Sequence, residues 1–214
     1  MGPKLYNAVR LYVDGIRDGH LAAALDKYVS ADLVQHTPGV PAGRDGLAAM
    51  FQPLIDRYER RTVIPLRGFE DGSRVFLHTF ACYGYRAVER VTMDIFDTDD
   101  DDHIIEHWSV SAPLLAPVPS GASPIDGPRI ATDVPATEAN TRLVRTVLGT
   151  GGAPAGIEHG HPALGVTRID QLVGHGSLVA AIGVRDRLVV ADLFRVEAAR
   201  IAEHWGVRTP GGLG

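Results

Sequence analysis

"DIFDTDDDDHIIEHWSV", residues 94–110, decides the fold, because the chain writes it a second time as "DLFRVEAARIAEHWGV", residues 192–207. Each copy is an extended apolar run, a turn and a returning run that carries Glu-His-Trp, the pattern of an antiparallel hairpin. The repeat extends upstream. Asp71-Gly72-Ser73 followed by Val75 matches His175-Gly176-Ser177 followed by Val179, and Glu106-His107-Trp108-x-Val110 matches Glu203-His204-Trp205-x-Val207. The offset drifts from 104 (71 to 175) through 98 (94 to 192) to 97 (106 to 203), so the second copy has shorter strand connections. It also lacks an equivalent of "RDGLAAMFQPLIDRY" at 44–58.

Around the first hairpin, Leu5, Ala8, Val9, Tyr12, Val13 and Ile16 recur at helical spacing, and "HLAAALDKYV" continues as a second helix after Asp18-Gly19. A short extended piece and a Pro/Gly loop precede a third helix, from near Arg44 to about Arg60. The period then falls to two, so residues 62–110 read as an antiparallel meander with an Asp71-Gly72 turn. Helices followed by antiparallel strands predict an α+β fold. Residues 1–115 form the first domain, the Pro/Gly/Ser-rich stretch 116–136 is a linker, and 137–214 is the reduced repeat. In that repeat "TEANTRLVRTVLG" is a helix with a Thr cap, 149–165 is a loop, and strands fall near 166–173, 177–183, 187–194 and 200–207.

The chain has 214 residues, 45% of them hydrophobic, ample for a packed core, and a formal charge of -5 that argues against nucleic acid or an anionic membrane as partner. Cys82 is the sole cysteine, and the N-terminal stretch lacks the apolar run of a signal peptide, so a cytoplasmic location is expected. No stretch is apolar enough to span a membrane.

"YVSADLVQHTPGVPAGRDGLAAMF", then "DGSRVFLH", then "DIF" with "IIEHWSV", resembles the SnoaL-like proteins of the nuclear transport factor 2 superfamily, which include polyketide cyclases and proteins of aldol-condensation type. The match covers about residues 5–112; the second half carries only the turn and the D-x-F/EHW pair. The resemblance implies a cone of strongly curved antiparallel sheet closed by N-terminal helices, with a ligand pocket at the wide end. Members commonly dimerise through the sheet, so the fused copy is expected to act as an intrachain pseudo-dimer partner; further homodimerisation stays open. A decayed duplication that merely buries the first sheet's free face is the alternative.

Asp94 is the first choice for general acid/base, because it sits between apolar strand neighbours, where burial raises a carboxyl pKa and a nearby imidazolium lowers it. His78 shares a strand face with Phe76, Phe80 and Cys82. His107 faces Asp94 if Phe96 pairs with Ile105; a one-residue slip replaces it with Trp108 or Glu106. His36, in "QHTP", is where the resemblance puts a pocket-mouth residue able to steady an enolate oxygen. Tyr83, Tyr85, Trp108 and Met50 supply apolar walls, with Phe76 and Phe80 as further substrate contacts. Many relatives have Asp after the His-Trp pair, whereas this chain has Ser109, and Gly206 in the second copy.

Asp192, His204 and Trp205 persist in a copy that has lost its lid helix, and the position matching His78 falls near Ile182. Residues kept in both copies are therefore suspected of structural roles: His78 and His36 gain weight as catalysts, and His107 loses some. His161-Pro162 could be a remnant of His36-x-Pro38. "DTDDDDH" at 97–103 lacks calcium-loop spacing and reads as a solvated hairpin tip, and "HGH" at 159–161 lacks further zinc ligands, so no metal or cofactor is expected. The expected activity is a cofactor-independent cyclase or isomerase acting on a polyketide-like or other carbonyl intermediate. Epoxide hydrolysis or dehydration in the same pocket, or a module that only binds a small apolar or carbonyl-containing ligand, are the alternatives.

Overall fold

A computed structural model describes residues 1–151, 156–160 and 166–210. By its internal contacts the chain divides into Met1–Ser109 and Val110–Gly214. Both units are α+β, as expected.

In the first unit, Pro3 opens α1 (Pro3–Arg10) at a position where its missing N–H is no loss. The helix runs on into a π-helical stretch, Leu11–Arg17. Then come α2 (Leu21–Tyr28), β1 (Val29–Gln35), α3 (Gly43–Arg57), β2 (Arg61–Asp71), β3 (Arg74–Tyr83), β4 (Val88–Thr98) and β5 (Ile104–Pro113), whose end crosses the boundary between units. The strand order is β1-β5-β4-β3-β2, with β1 parallel to β5. Asp71-Gly72 is the β2–β3 turn, and Gly72 takes the left-handed φ of 64° that a tight hairpin needs. Pro65, which has no N–H to give a ladder, sits beside a bulge on the edge strand β2.

The helices lie on one face of this sheet. Ala8, Leu11, Tyr12, Leu25, Leu47 and Phe51 pack there with Val75, Leu77, Ala81, Tyr83 and Phe96 in one apolar core. Val75, Leu77 and Thr79 pair across to Phe96, Asp94 and Thr92, whereas Phe76, His78 and Phe80 pair with Ile95, Met93 and Val91. Paired residues share a face. Asp94 therefore projects toward the helices, and His78 projects the other way.

The second unit repeats the sheet. Helix α4 (Thr137–Gly149) precedes β6 (Ile157–Gly160), β7 (Arg168–His175), β8 (Leu178–Arg185), β9 (Leu188–Glu197) and β10 (Arg200–Pro210), in the order β6-β10-β9-β8-β7 with β6 parallel to β10. Even the bulge recurs, between Ile169 and Gln171 where β2 has Pro65 and Arg67. Two similar sheet units are what a tandem copy produces. Among the described residues α4 is this unit's one α-helix, so no counterpart of α2 or α3 stands over the sheet.

Three local expectations change. Strand β6 occupies part of the predicted loop 149–165. Thr137 does not cap α4; its hydroxyl donates back to the Val134 carbonyl (2.6 Å) and accepts the Gly176 N–H (2.7 Å). The stretch 116–136 is tied to the second unit. Thr132 O accepts the Ser177 N–H (2.7 Å), Ser123 O meets His159 Nδ1 (3.0 Å), and Asp126 O accepts the Trp205 indole N–H (2.9 Å). Among the described residues no helix is long and apolar enough to cross a membrane.

Candidate functional site

Asp94 is 0% exposed, and a buried carboxylate needs donors. It has two. Tyr12, in the π-helical stretch, donates its hydroxyl to Oδ2 at 2.9 Å, and His107 Nε2–H donates to Oδ1 at 3.1 Å. His107 is also 0% exposed and lies flat against Phe96, ring centroids 4.8 Å apart and planes 8° from parallel. Of the registers that the sequence leaves open for this hairpin, the structure has one that brings Asp94 to His107.

The imidazole's tautomer follows from the next residue outward. Gln35, opposite His107 in the β1–β5 register, accepts the Thr37 N–H on Oε1 (3.0 Å), which turns its amide nitrogen toward His107 Nδ1 at 3.1 Å. An amide nitrogen can only donate, so Nδ1 accepts and the proton sits on Nε2, facing Asp94. Burial first, and then the Asp94 charge and hydrogen bond, push the Tyr12 phenol well above its ordinary range. Asp94 therefore lies between two protonated, neutral donors. Such a carboxylate is oriented to take a proton and return it.

The other predicted residues divide by face. Tyr83 and Met50 belong to the helix-covered core with Asp94. His78, Phe76 and Phe80 project from the opposite face, and so does Trp108, the alternate neighbour of His107. His36 joins them: its Nε2 meets Glu106 Oε2 at 2.7 Å, and its ring stacks on Trp108 at 4.2 Å and 3°. The expectation that His78 or His36 steadies an enolate formed at Asp94 is corrected, because the sheet stands between them. Strand alternation within β3 and β4 is legible in sequence; which faces coincide depends on a register that pairs Asp94 with Leu77.

His78 is part of a different arrangement. Buried Arg67 donates Nη1–H to His78 Nδ1 at 2.9 Å, which leaves the imidazole proton on Nε2, a buried atom with no hydrogen-bond partner among the described residues. Burial, reinforced by the Arg67 charge, drives the His78 pKa well below its usual value. The acidic tip is a turn: Asp99 Oδ1 accepts the N–H groups of Asp101 (3.0 Å) and His103 (2.8 Å). Among the described residues no cluster of three or more His, Cys, Asp or Glu is placed to hold a metal.

The second unit reproduces half of this. His204 Nε2 meets Asp192 Oδ1 at 2.7 Å and stacks on Phe194 at 5.0 Å. His159 meets Glu203 (3.1 Å) and stacks on Trp205 (4.6 Å), so His159 is the counterpart of His36; His161 lies outside the described residues. The donors differ. Lys4 in α1 and Asn140 in α4 both donate to the glycine carbonyl of the following hairpin, Gly72 and Gly176. Aligned on that contact, Ala8 and Tyr12 correspond to Val144 and Leu148, both fully buried, so the helix position that carries a phenol in the first unit carries an apolar side chain in the second. Glu158 holds Gln35's register position but has no side-chain N–H to give, and among the described residues His204 Nδ1 has no hydrogen-bond partner. Sequence reasoning saw Tyr12 as one more residue of an apolar stripe; its place in the chain carries no sign of the carboxylate it meets.

Residues 9–107 match the SnoaL-like domain family. No curated protein matches the chain. Among solved structures, the chain is similar over about half its length to IdmH, "a putative polyketide cyclase" from Streptomyces antibioticus (19% identity, 51% of this chain and 92% of that one, TM-score 0.46). It is also similar to a "putative polyketide cyclase" from Bacillus cereus ATCC 10987 (18%, 50% and 73%, 0.45) and to an LEH-like epoxide hydrolase of M. tuberculosis (19%, 50% and 80%, 0.40).

Proposed function

We propose, from the match of residues 9–107 to the SnoaL-like domain family, that the first unit is a cofactor-independent acid/base enzyme of the cyclase type, acting on a polyketide-like carbonyl compound. The observation that carries the proposal is the Tyr12–Asp94–His107 arrangement, whose phenol the second unit lacks. Asp94 removes a proton from the carbon beside a carbonyl, and the C–H electron pair moves onto the carbonyl oxygen. The enolate carbon attacks a second carbonyl of the same molecule, closing the ring. The resulting alkoxide takes the proton back from Asp94, so the reaction is a net isomerisation. Tyr12 and His107 hold the carboxylate in place through both transfers, and His107 is fixed in turn by Gln35. Asp94 is shut off from solvent, so substrate reaches it only as the helices over the sheet part.

A second reading has its own observation. The Asp–His pair recurs in the second unit as Asp192–His204 without the phenol, as a brace of the fold would. On that reading the first unit holds a ligand without converting it. Mass spectrometry of small molecules that co-purify from the producing host with wild type and folded Asp94→Asn separates the two. Accumulation of an uncyclised compound on the variant is the expected result. The same molecule in similar amounts on both proteins sinks the enzyme reading and leaves the binding module.

A further inference from the structure

The connection from α3 to β2 reads Arg57-Tyr58-Glu59-Arg60-Arg61, and it meets the β3–β4 hairpin tip, Gly84-Tyr85-Arg86. Gly84 N–H donates to the Arg60 carbonyl at 2.9 Å. The two segments border an open cavity of about 420 Å³ lined by Arg57, Tyr58, Glu59, Arg60, Gly84 and Tyr85. The Arg57 guanidinium lies 5.3 Å from the Tyr58 ring centre, and that of Arg60 lies 4.9 Å from Tyr85. Among the described residues neither guanidinium forms an ion pair with a carboxylate. Arg61 adds a third positive charge, spent on the carbonyls of Ile16, Arg17, Ile55 and Tyr58. One carboxylate, Glu59, lines the same cavity.

The hairpin tip is built at a cost. Gly84, Tyr85 and Arg86 all take positive φ (59°, 53° and 71°), and left-handed backbone is unfavourable for the two that carry side chains. A Cβ on Gly84 would lie 2.7 Å from the Tyr58 ring, so the close approach requires glycine as well. The conformation holds Tyr85 81% exposed with Arg60 against it. On the inner side, Tyr58 packs on Tyr83 (5.9 Å), a residue of the same apolar core as Tyr12.

We propose that this cavity is the recognition site for an oxyanion-bearing, planar substrate, whose carboxylate or phosphate is held by Arg57 and Arg60 and whose ring plane lies against Tyr58 and Tyr85. Guanidinium forks match both oxyanions, and their stacking on tyrosine pre-orders them for a planar ligand. The inference rests on the proposed acid/base function and names its substrate class: an acidic, conjugated carbonyl compound rather than a neutral one.

Titrations of benzoate, its neutral isostere benzamide, and inorganic phosphate, followed through the arginine Nε–H resonances of the full chain, test it. Benzoate is expected to move the signals of Arg57 and Arg60 in the millimolar range. Benzamide is expected to bind at least about tenfold more weakly. Arg57→Gln/Arg60→Gln, at two exposed positions that leave the fold intact, is expected to abolish the benzoate effect. A phosphate response stronger than that of benzoate assigns the site to a phosphate-bearing substrate. Equal responses to benzoate and benzamide, or none to either anion, overturn the proposal. Asp94→Asn is expected to bind benzoate as the wild type does, so a failed enzyme reading with benzoate bound leaves the anion site standing.

Discussion

The two units share a strand order, a bulge, a buried Asp–His pair on a phenylalanine and a His–Glu–Trp contact, yet they differ in what surrounds the carboxylate. Asp94 has a phenol and a histidine whose far nitrogen is tied to Gln35; among the described residues Asp192 has only a histidine, with Leu148 and Glu158 at the corresponding positions. The shared parts are what the sheet requires. The parts found in one unit are those that the proposed reaction would use, and they come from the helical layer and from β1, the elements that changed most between copies. His36, which the sequence comparison favoured as a catalyst, falls on the shared side, because His159 repeats its contacts.

Parallel substitutions give the strongest test of that division. Asp94→Asn is expected to lower turnover by about 10² to 10⁴, the range for a positioned acid/base, while Asp192→Asn leaves it unchanged; equal losses would erase the distinction between units. Tyr12→Phe copies the second unit's apolar position. It is expected to cost roughly 10-fold or more in turnover and about 1–3 kcal/mol of stability, since Asp94 Oδ2 loses its donor inside the core. Denaturant unfolding reads the second figure, and unchanged stability would mean that water reaches Oδ2.

Gln35→Glu copies Glu158. With no amide N–H, His107 Nδ1 acquires a proton instead, and a loss of roughly tenfold in turnover is expected, as for other groups that orient a catalytic histidine. Ring ¹⁵N shifts check it: wild type should show one protonated nitrogen, Nε2, and the variant two. A wild-type spectrum with Nδ1 protonated would refute the Gln35 assignment.

The smallest effect concerns the opposite face. His78 is held neutral, its folded pKa below the unfolded value of about 6.5, so the unfolded chain binds the extra proton. Stability is then full above that value and falls with pH beneath it, by at most about 1.4 kcal/mol per pH unit. Arg67→Gln/His78→Ile, which copies Gln171 and Ile182, is expected to flatten that acid limb in unfolding measured from pH 7 to 4. An unchanged limb would show that other groups set it.

The α+β class, the repeat and the buried position of Asp94 are all properties of local pattern, and they were readable. Alternation along β3 and β4 was readable too. Whether Asp94 and His78 share a face was not, since a shift of one residue between two strands exchanges the faces without altering either strand's pattern. Tyr12 and Gln35 escaped for a related reason: they are 82 and 72 residues from the groups they bond, and nothing in their own neighbourhood sets them apart.

By itself, then, the sequence determined most of the helices and strands, β6 excepted, that the sheet is written twice, and that the second writing lacks the third helix, because periodicity and turn chemistry act over a few residues. Only the tertiary structure decided that Asp94 meets Tyr12 and His107 and that His36 and His78 stand behind the sheet. Those outcomes depend on strand register and on how a π-helical stretch packs over the sheet, and both are settled by burial of the whole core at once.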